Sequence, residues 1–320
     1  MSHTLAFADA PTVSKALPWP VLVDALHKAF AGSFHAPERH IHPIAVPGEG
    51  HASALLMPAW VEGDIYGVKL VNVFPGNATR HLPTVNGVYA LFSAQTGLPL
   101  ALMEGGVLTA RRTVATSAMA SRMLSRPDSR TLLVVGTGRL APLMIEAHAA
   151  VRPIDRVLVW GRDATKAAAI ARRAAEETGL RVAGTPDLAA ASAEADIISC
   201  VTLATEPLVR GAWLKPGVHV DLVGAFKPSM READAEAVRR ADVFIDTEGG
   251  ARTEAGDLIQ AIHEGAFDWS YVKAELTTLC RDQHPGRTDP RAITLFKSVG
   301  CALEDLAAAR LVHAAMQKGA

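Results

Sequence analysis

Leu132-Leu133-Val134-Val135-Gly136-Thr137-Gly138-Arg139-Leu140-Ala141 is an apolar strand running into G-x-G-x-x-A and then into a helical pattern. Each small residue has its own physical reason. Gly136 permits a tight turn, Gly138 lets the backbone approach a pyrophosphate, and Ala141 lets helix and strand pack closely. The helix N-terminus adds unpaired N–H groups and a partial positive charge, with Thr137, Arg139 and Leu140 completing the loop around them. A glycine pattern alone also describes an ordinary strand-to-helix turn. Here a strand precedes it, a helix follows, and a second strand, RVLVWG, arrives on schedule, so a dinucleotide-binding loop is expected.

Working outward, strands and helices keep alternating beyond Arg130: RVLVWG, ATKAAAIARRAAEE, DIISCV, HVDLVG and DVFID. Such alternation predicts an α/β, Rossmann-type doubly wound parallel sheet over residues 127–292. Upstream the texture differs. An amphipathic helix follows Pro20, and a meander of antiparallel strands spans about Ala52 to Glu104. A helix follows over VLTARRTVATSAMASRML, and RPDSR breaks it. Residues 1–126 are therefore expected to form a separate α+β domain, with residues 293–320 as a C-terminal helix packing back on it. A meander leaves an apolar face that one short helix cannot cover, which predicts a homodimer.

Bulk properties narrow the partners. The 320 residues are 49% hydrophobic and 20% charged with formal net charge −1, giving no electrostatic reason to expect nucleic acid. The N-terminus lacks the pattern of a signal peptide and no stretch reaches the ~20 apolar residues of a membrane span, so a cytoplasmic protein is expected. Cys200, Cys280 and Cys301 are odd in number and widely spaced, which argues against a disulfide framework and predicts buried small hydrophobes. His40 and His42 have no supporting carboxylate cluster, so no metal is assigned.

At the end of the second Rossmann strand an NAD-specific domain carries Asp or Glu for the ribose diol. This chain reads Trp160-Gly161-Arg162-Asp163. Gly161 leaves room for a 2′-phosphate and Arg162 can pair with it, favouring NADP(H) with NAD(H) as the alternative. Arg162 as a solvated loop charge and Asp163 as a helix N-cap is the plainer reading. In the first domain, Arg39, Lys69 and Arg112 are candidates for holding an anionic, amino-acid-like substrate. Lys69 lies midway along an apolar strand, where burial is costly unless it meets an anion. An outward-facing lysine on a half-exposed sheet is the alternative, and Arg112 can equally be a solvated helix charge or a salt-bridge partner.

The run K-LVNVFPGN from Lys69, LPTV around Thr84, A-RRT-ATS around Arg112, the GTG turn, VGAFKPSMRE from Val223 and LFKSVG-ALED from Leu295 together resemble the ornithine cyclodeaminase/mu-crystallin family over nearly the whole chain. The resemblance implies a dimerising substrate domain beside a Rossmann domain. It implies that Arg39, Lys69 and Arg112 hold the substrate carboxylate, Lys69 and Arg112 as the catalytic pair, with Phe226 and Val299 near the substrate. Thr84, Arg112, Thr202, Val223, Gly224 and Ser298 are implied near the cofactor. Two departures separate the chain from the cyclodeaminases. Phe226 stands where they carry an acidic residue, and Leu55-Leu56-Met57-Pro58 lacks their glutamate. Expelling ammonia from a diamine needs acid–base groups that these side chains cannot provide. Reduction of a preformed cyclic imine carboxylate, such as Δ1-pyrroline-2-carboxylate to proline or Δ1-piperideine-2-carboxylate to pipecolate, asks less. The alternatives are an ornithine cyclodeaminase and a non-catalytic, crystallin-like NADP-binding protein.

Overall fold

The computed structural model describes residues 5–318 and divides into two compact units. One comprises the chain up to Thr113 together with the segment from Cys301 onward; the other is Val114–Gly300. In chain order the elements begin with β1 (Ala6–Ala8), α1 (Ala10–Ala16), α2 (Trp19–Ala31), β2 (His40–Ile44) and β3 (Ala52–Trp60). β4 (Ile65–Val73), β5 (Val85–Ser93), β6 (Pro99–Glu104) and α3 (Gly105–Leu124) follow. Then come β7 (Thr131–Val135), α4 (Ala141–Val151), β8 (Arg156–Trp160), α5 (Ala164–Thr178), β9 (Arg181–Gly184), α6 (Leu188–Glu194) and β10 (Ile197–Cys200). The remainder is β11 (His219–Leu222), α7 (Ala235–Arg240), β12 (Ala241–Ile245), α8 (Glu248–Glu254), α9 (Gly256–His263), β13 (Val272–Glu275), α10 (Leu276–Cys280), β14 (Ile293–Lys297) and α11 (Ala302–Lys318).

The first unit is a six-stranded sheet in the order β1-β6-β5-β4-β3-β2. β2 to β6 form the antiparallel meander, and the short β1 adds parallel to β6. Because side chains alternate along a strand, one register row places Met57, Lys69, Tyr89, Met103 and Ala8 side by side on one face. All five are buried, and α11 packs on β3, β4, β5 and β6. The helix α2 buries Trp19, Leu22, Val23, Leu26 and Phe30 and packs against α11.

The second unit is an eight-stranded, all-parallel sheet in the order β13-β12-β14-β11-β10-β7-β8-β9. The chain winds outward from β7 to β9 and then restarts on the other side of β7 with β10, which makes the β7/β10 edge a topological switch point. Among the described residues no helix is long and apolar enough to cross a membrane.

Three sequence expectations change. The division falls after Thr113, inside α3, and after Gly300, instead of at 126/127 and 292/293. Residues 293–297, expected within a terminal helix, are the fully buried β14, inserted between β11 and β12. ITLFK and the helix behind it merge into one apolar pattern, and a short buried strand cannot be told from helix by periodicity alone. The third concerns cysteine: Cys200 and Cys280 are buried, but Cys301 is only partly so.

Candidate active site

At the switch point the loops after β7, β8 and β10 enclose a cleft of about 820 Å³ lined by Gly136, Gly138, Gly161, Arg162, Lys166 and Thr202. Gly136 has φ 131, and a Cβ there would lie 2.9 Å from the Val201 carbonyl, so only glycine fits this turn. A Cβ on Gly138 would meet nothing within 4 Å, which leaves open space against the loop for a phosphate. Thr137 also lines the cleft, and Arg139 is exposed on the loop. Leu140 precedes α4 without a side-chain cap, as suits a helix N-terminus whose N–H groups receive an anion. The residues present fit a dinucleotide.

At the second strand's end one detail differs from expectation and one follows the plainer reading, in which Asp163 is a helix cap. The bareness of Gly161 serves Thr137 first, since a Cβ there would come within 2.4 Å of the Thr137 methyl group. Asp163 is committed as N-cap of α5, accepting the Lys166 N–H at 3.1 Å. An acidic residue spent on a helix cap is poorly placed to bind a ribose diol.

Glu232 ties the two neighbouring loops together. Its Oε1 accepts the backbone N–H and the hydroxyl of Thr202, at 2.6 and 2.9 Å; its Oε2 accepts the N–H groups of Gly224 and Ala225, at 2.7 and 3.2 Å. Gly224 is obligatory here, because a Cβ would fall 1.9 Å from the Thr202 carbonyl. Val223 is buried and donates to the Cys200 carbonyl, while Phe226 is 41% exposed just beyond. Asp246 Oδ2 accepts from the Ser298 hydroxyl and from the Val299 and Gly300 N–H groups, fixing the turn after β14. Thr202, Val223, Gly224, Phe226, Ser298 and Val299 therefore all sit at or just beyond the C-terminal ends of this sheet's strands.

The first unit holds the cations. Lys69 Nζ donates to Asp305 Oδ2 at 2.7 Å, and Arg112 donates to Asp305 Oδ1 at 3.0 Å and Glu304 Oε2 at 2.5 Å. All four side chains are buried. Glu304 and Asp305 lie in the first turn of α11, where negative charge complements the helix dipole, and Glu304 also accepts the Cys301 N–H in the manner of a capping box. Burial, with Arg112 adding to it, pushes the Lys69 ammonium down to about 8 against the pull of Asp305. Burial also opposes charge on Arg112, but Asp305 and Glu304 outweigh it and hold the guanidinium above its usual range.

The structure thus brings Lys69 and Arg112 together, and the outward-facing alternative for Lys69 is excluded. It also shows that both cations are neutralised by an acidic pair that sequence reasoning passed over. Arg39 is partly exposed, one residue before β2, whose His40 pairs with Leu56. Thr84 lies in the first unit beside β5, its carbonyl accepting the Phe74 N–H, so neither it nor Arg112 belongs to the Rossmann unit with the other expected cofactor residues.

Residues 13–320 match the ornithine cyclodeaminase/mu-crystallin family. The chain belongs to that family. An uncharacterised protein of Schizosaccharomyces pombe is 42% identical over 98% of each chain. The Δ1-pyrroline-2-carboxylate reductase of Colwellia psychrerythraea is 38% identical, over 95% of this chain and 97% of its own. Among solved structures, the Thermococcus litoralis Δ1-pyrroline-2-carboxylate reductase in complex with NADH and L-proline superimposes with a TM-score of 0.92 at 32% identity, covering 98% of each chain. Within the family, the switch-point cleft is a Rossmann dinucleotide site in form, and the acid-paired Lys69 and Arg112 are the buried cations of the other unit.

Proposed function

We propose that this protein is an NAD(P)H-dependent reductase of small cyclic imine carboxylates, taking Δ1-pyrroline-2-carboxylate to proline or the six-membered Δ1-piperideine-2-carboxylate to pipecolate. Phe226 carries the reading against a cyclodeaminase, because an apolar ring stands at the position where those enzymes have an acidic residue. The names of the Colwellia and Thermococcus relatives point the same way. Lys69 and Arg112 bind the substrate carboxylate, with Arg39 as a third cation, while Asp305 and Glu304 hold the first two in place. An ammonium has three N–H donors and Asp305 takes one, so Lys69 can reach a ligand without giving up its anchor. The dinucleotide, when bound, supplies a hydride to the C=N carbon. The imine nitrogen needs a proton for this, and Lys69, an ammonium brought down to about 8, is the group we assign to deliver it.

The Gly136–Gly138 loop, Gly161, Arg162 and Thr202 hold the dinucleotide. With Asp163 committed as a cap and Arg162 and Lys166 both lining the cleft, NADP(H) is the preferred form. The protein works as a homodimer through the apolar outer face of the first unit's sheet. One experiment tests the reading. Purified protein is given each imine carboxylate with NADPH or NADH, beside an ammonia assay with ornithine. Oxidation of cofactor, faster with NADPH, is expected, and Arg162→Ala should erase most of that difference. Ammonia release from ornithine without imine reduction would overturn the reading.

A further inference from the structure

Glu232 has no place in the chemistry above, yet it is fully buried and accepts from four donors on two separate loops. Those loops follow adjacent strands, β10 and β11, just past the switch point. A second layer stands behind it. Asp257 Oδ1 accepts the Glu232 and Ala233 N–H groups at 2.7 and 3.0 Å, and its Oδ2 lies 2.8 Å from Lys297 Nζ at the end of β14. A surface-directed carboxylate needs no such scaffold; one that sets the distance between two loops does. We propose that Glu232 is a positioning residue, a strut that fixes the spacing between the Thr202 loop and the Gly224–Ala225 loop and thereby shapes the dinucleotide cleft. This rests on the dinucleotide reading of that cleft.

The strut depends on an ionised carboxylate, because protonation turns one acceptor oxygen into a donor facing N–H groups. The charged groups that act most on Glu232 are Lys297 from β14 and Asp257 from α9, and the buried Cys200 thiol at the end of β10, itself pushed well up by burial and then by Glu232, faces it as well; its chain neighbour Arg231 is turned to Glu264 instead. Burial raises the Glu232 carboxyl, Lys297 opposes the rise, Asp257 adds to it and the Thr202 hydrogen bonds oppose it, leaving it at about 7. The carboxylate is thus ionised above neutrality and protonated below.

The test compares wild type with Glu232→Gln, which keeps the size but presents an amide N–H to one of the two loops. Without cofactor, exchange of the Thr202, Gly224 and Ala225 amides should accelerate in the variant by about ten- to a hundredfold. The Kd for reduced dinucleotide, by fluorescence titration, should rise by about tenfold or more. In the wild type the affinity for NADH, which has no 2′-phosphate monoester to titrate near pH 6, should weaken as pH falls through about 7, a dependence the variant lacks. Unchanged exchange and unchanged Kd would refute the strut. If Glu232→Gln fails to fold, Glu232→Asp, which keeps the charge but is one methylene shorter, decides by the same measurements: faster exchange of the Thr202, Gly224 and Ala225 amides supports the strut, and unchanged exchange overturns it. None of these readouts uses an imine substrate, so a protein that binds dinucleotide but reduces no imine refutes the proposed activity alone.

Discussion

Burying an ammonium is costly unless partners compensate, and at Lys69 the compensation comes first from Asp305, which is shared with Arg112, and then from the charge of Glu304. Burial, with the neighbouring Arg112 charge adding to it, brings the Lys69 ammonium down to about 8, while Asp305 and Glu304 together outweigh burial at Arg112 and keep it charged. Tyr89, its register partner on β5, is pushed well above 10 by burial first and by Asp305 second, so it does not titrate in the same range. Above about pH 8 the site should lose one positive charge and one proton source, and kcat/KM for an imine carboxylate should fall as pH rises through that value. Lys69→Met should lower kcat/KM roughly 100- to 1000-fold, the equivalent of about 3–4 kcal/mol, from loss of a buried charge contact. Dinucleotide affinity should stay unchanged in that variant, since Lys69 lies outside the Rossmann unit. Steady-state kinetics across pH check both statements; full activity in Lys69→Met would remove lysine from the mechanism.

At the scale of elements, the strand that carries the glycine loop is anchored at its start by one carboxylate. Asp196, just before β10, accepts the N–H groups of Arg130 and Thr131 at 2.9 and 3.0 Å and pairs with Arg126 and Lys215, both at 2.8 Å. Burial works to raise its carboxyl, but the hydrogen bonds from Lys215, Arg130, Thr131 and Arg126 win and hold it below the usual carboxylate range. A depressed carboxylate stabilises the fold above its unfolded value, near 4, and that contribution disappears as pH falls from there through the folded value. Asp196→Asn should therefore cost about 2 kcal/mol at neutral pH by denaturant unfolding, with the gap to wild type narrowing below about pH 4. A constant gap from neutrality to pH 3 would mean that shape, and not charge, holds the strand. The glycine loop itself was legible in the sequence because turn, strand and helix each left a local signature. The anchor was not, since Asp196 lies 65 residues from Thr131 and only the fold joins them. The same reason hid Asp305 from Lys69, 236 residues away, although two adjacent acids opening an apolar helix were the available signal. β14 was hidden differently: its apolar run continues into the pattern of α11, and the break between them is the turn at Ser298–Gly300, with Gly300 at φ 80, held by Asp246.

For the whole molecule, the decisive feature is the face of the six-stranded sheet opposite the Lys69 row. Register places Leu56, Leu70 and Val88 in one row there and Pro58, Val68, Ala90, Leu102 and Phe7 in the next. Phe7, Tyr66, Leu70 and Val88 are 58, 36, 37 and 41% exposed, and the Tyr66 and Phe92 rings stack at 4.9 Å on the same face. Isolated exposed apolar residues are ordinary, but a contiguous patch across central strands marks an interaction surface. The sheet's edges offer a poorer contact, because β1 has only three residues and β2 carries Pro43 and is largely exposed. Pairing should therefore be face to face, not edge to edge. Light scattering at micromolar concentration is expected to give the mass of two chains. Leu70→Asp and Val88→Asp, each placing a carboxylate in the middle of the patch, should each yield a monomer that still binds dinucleotide, because neither residue lies in the Rossmann unit. A monomeric wild type would sink the face-to-face dimer, and dimers that survive both substitutions would move the interface to another surface.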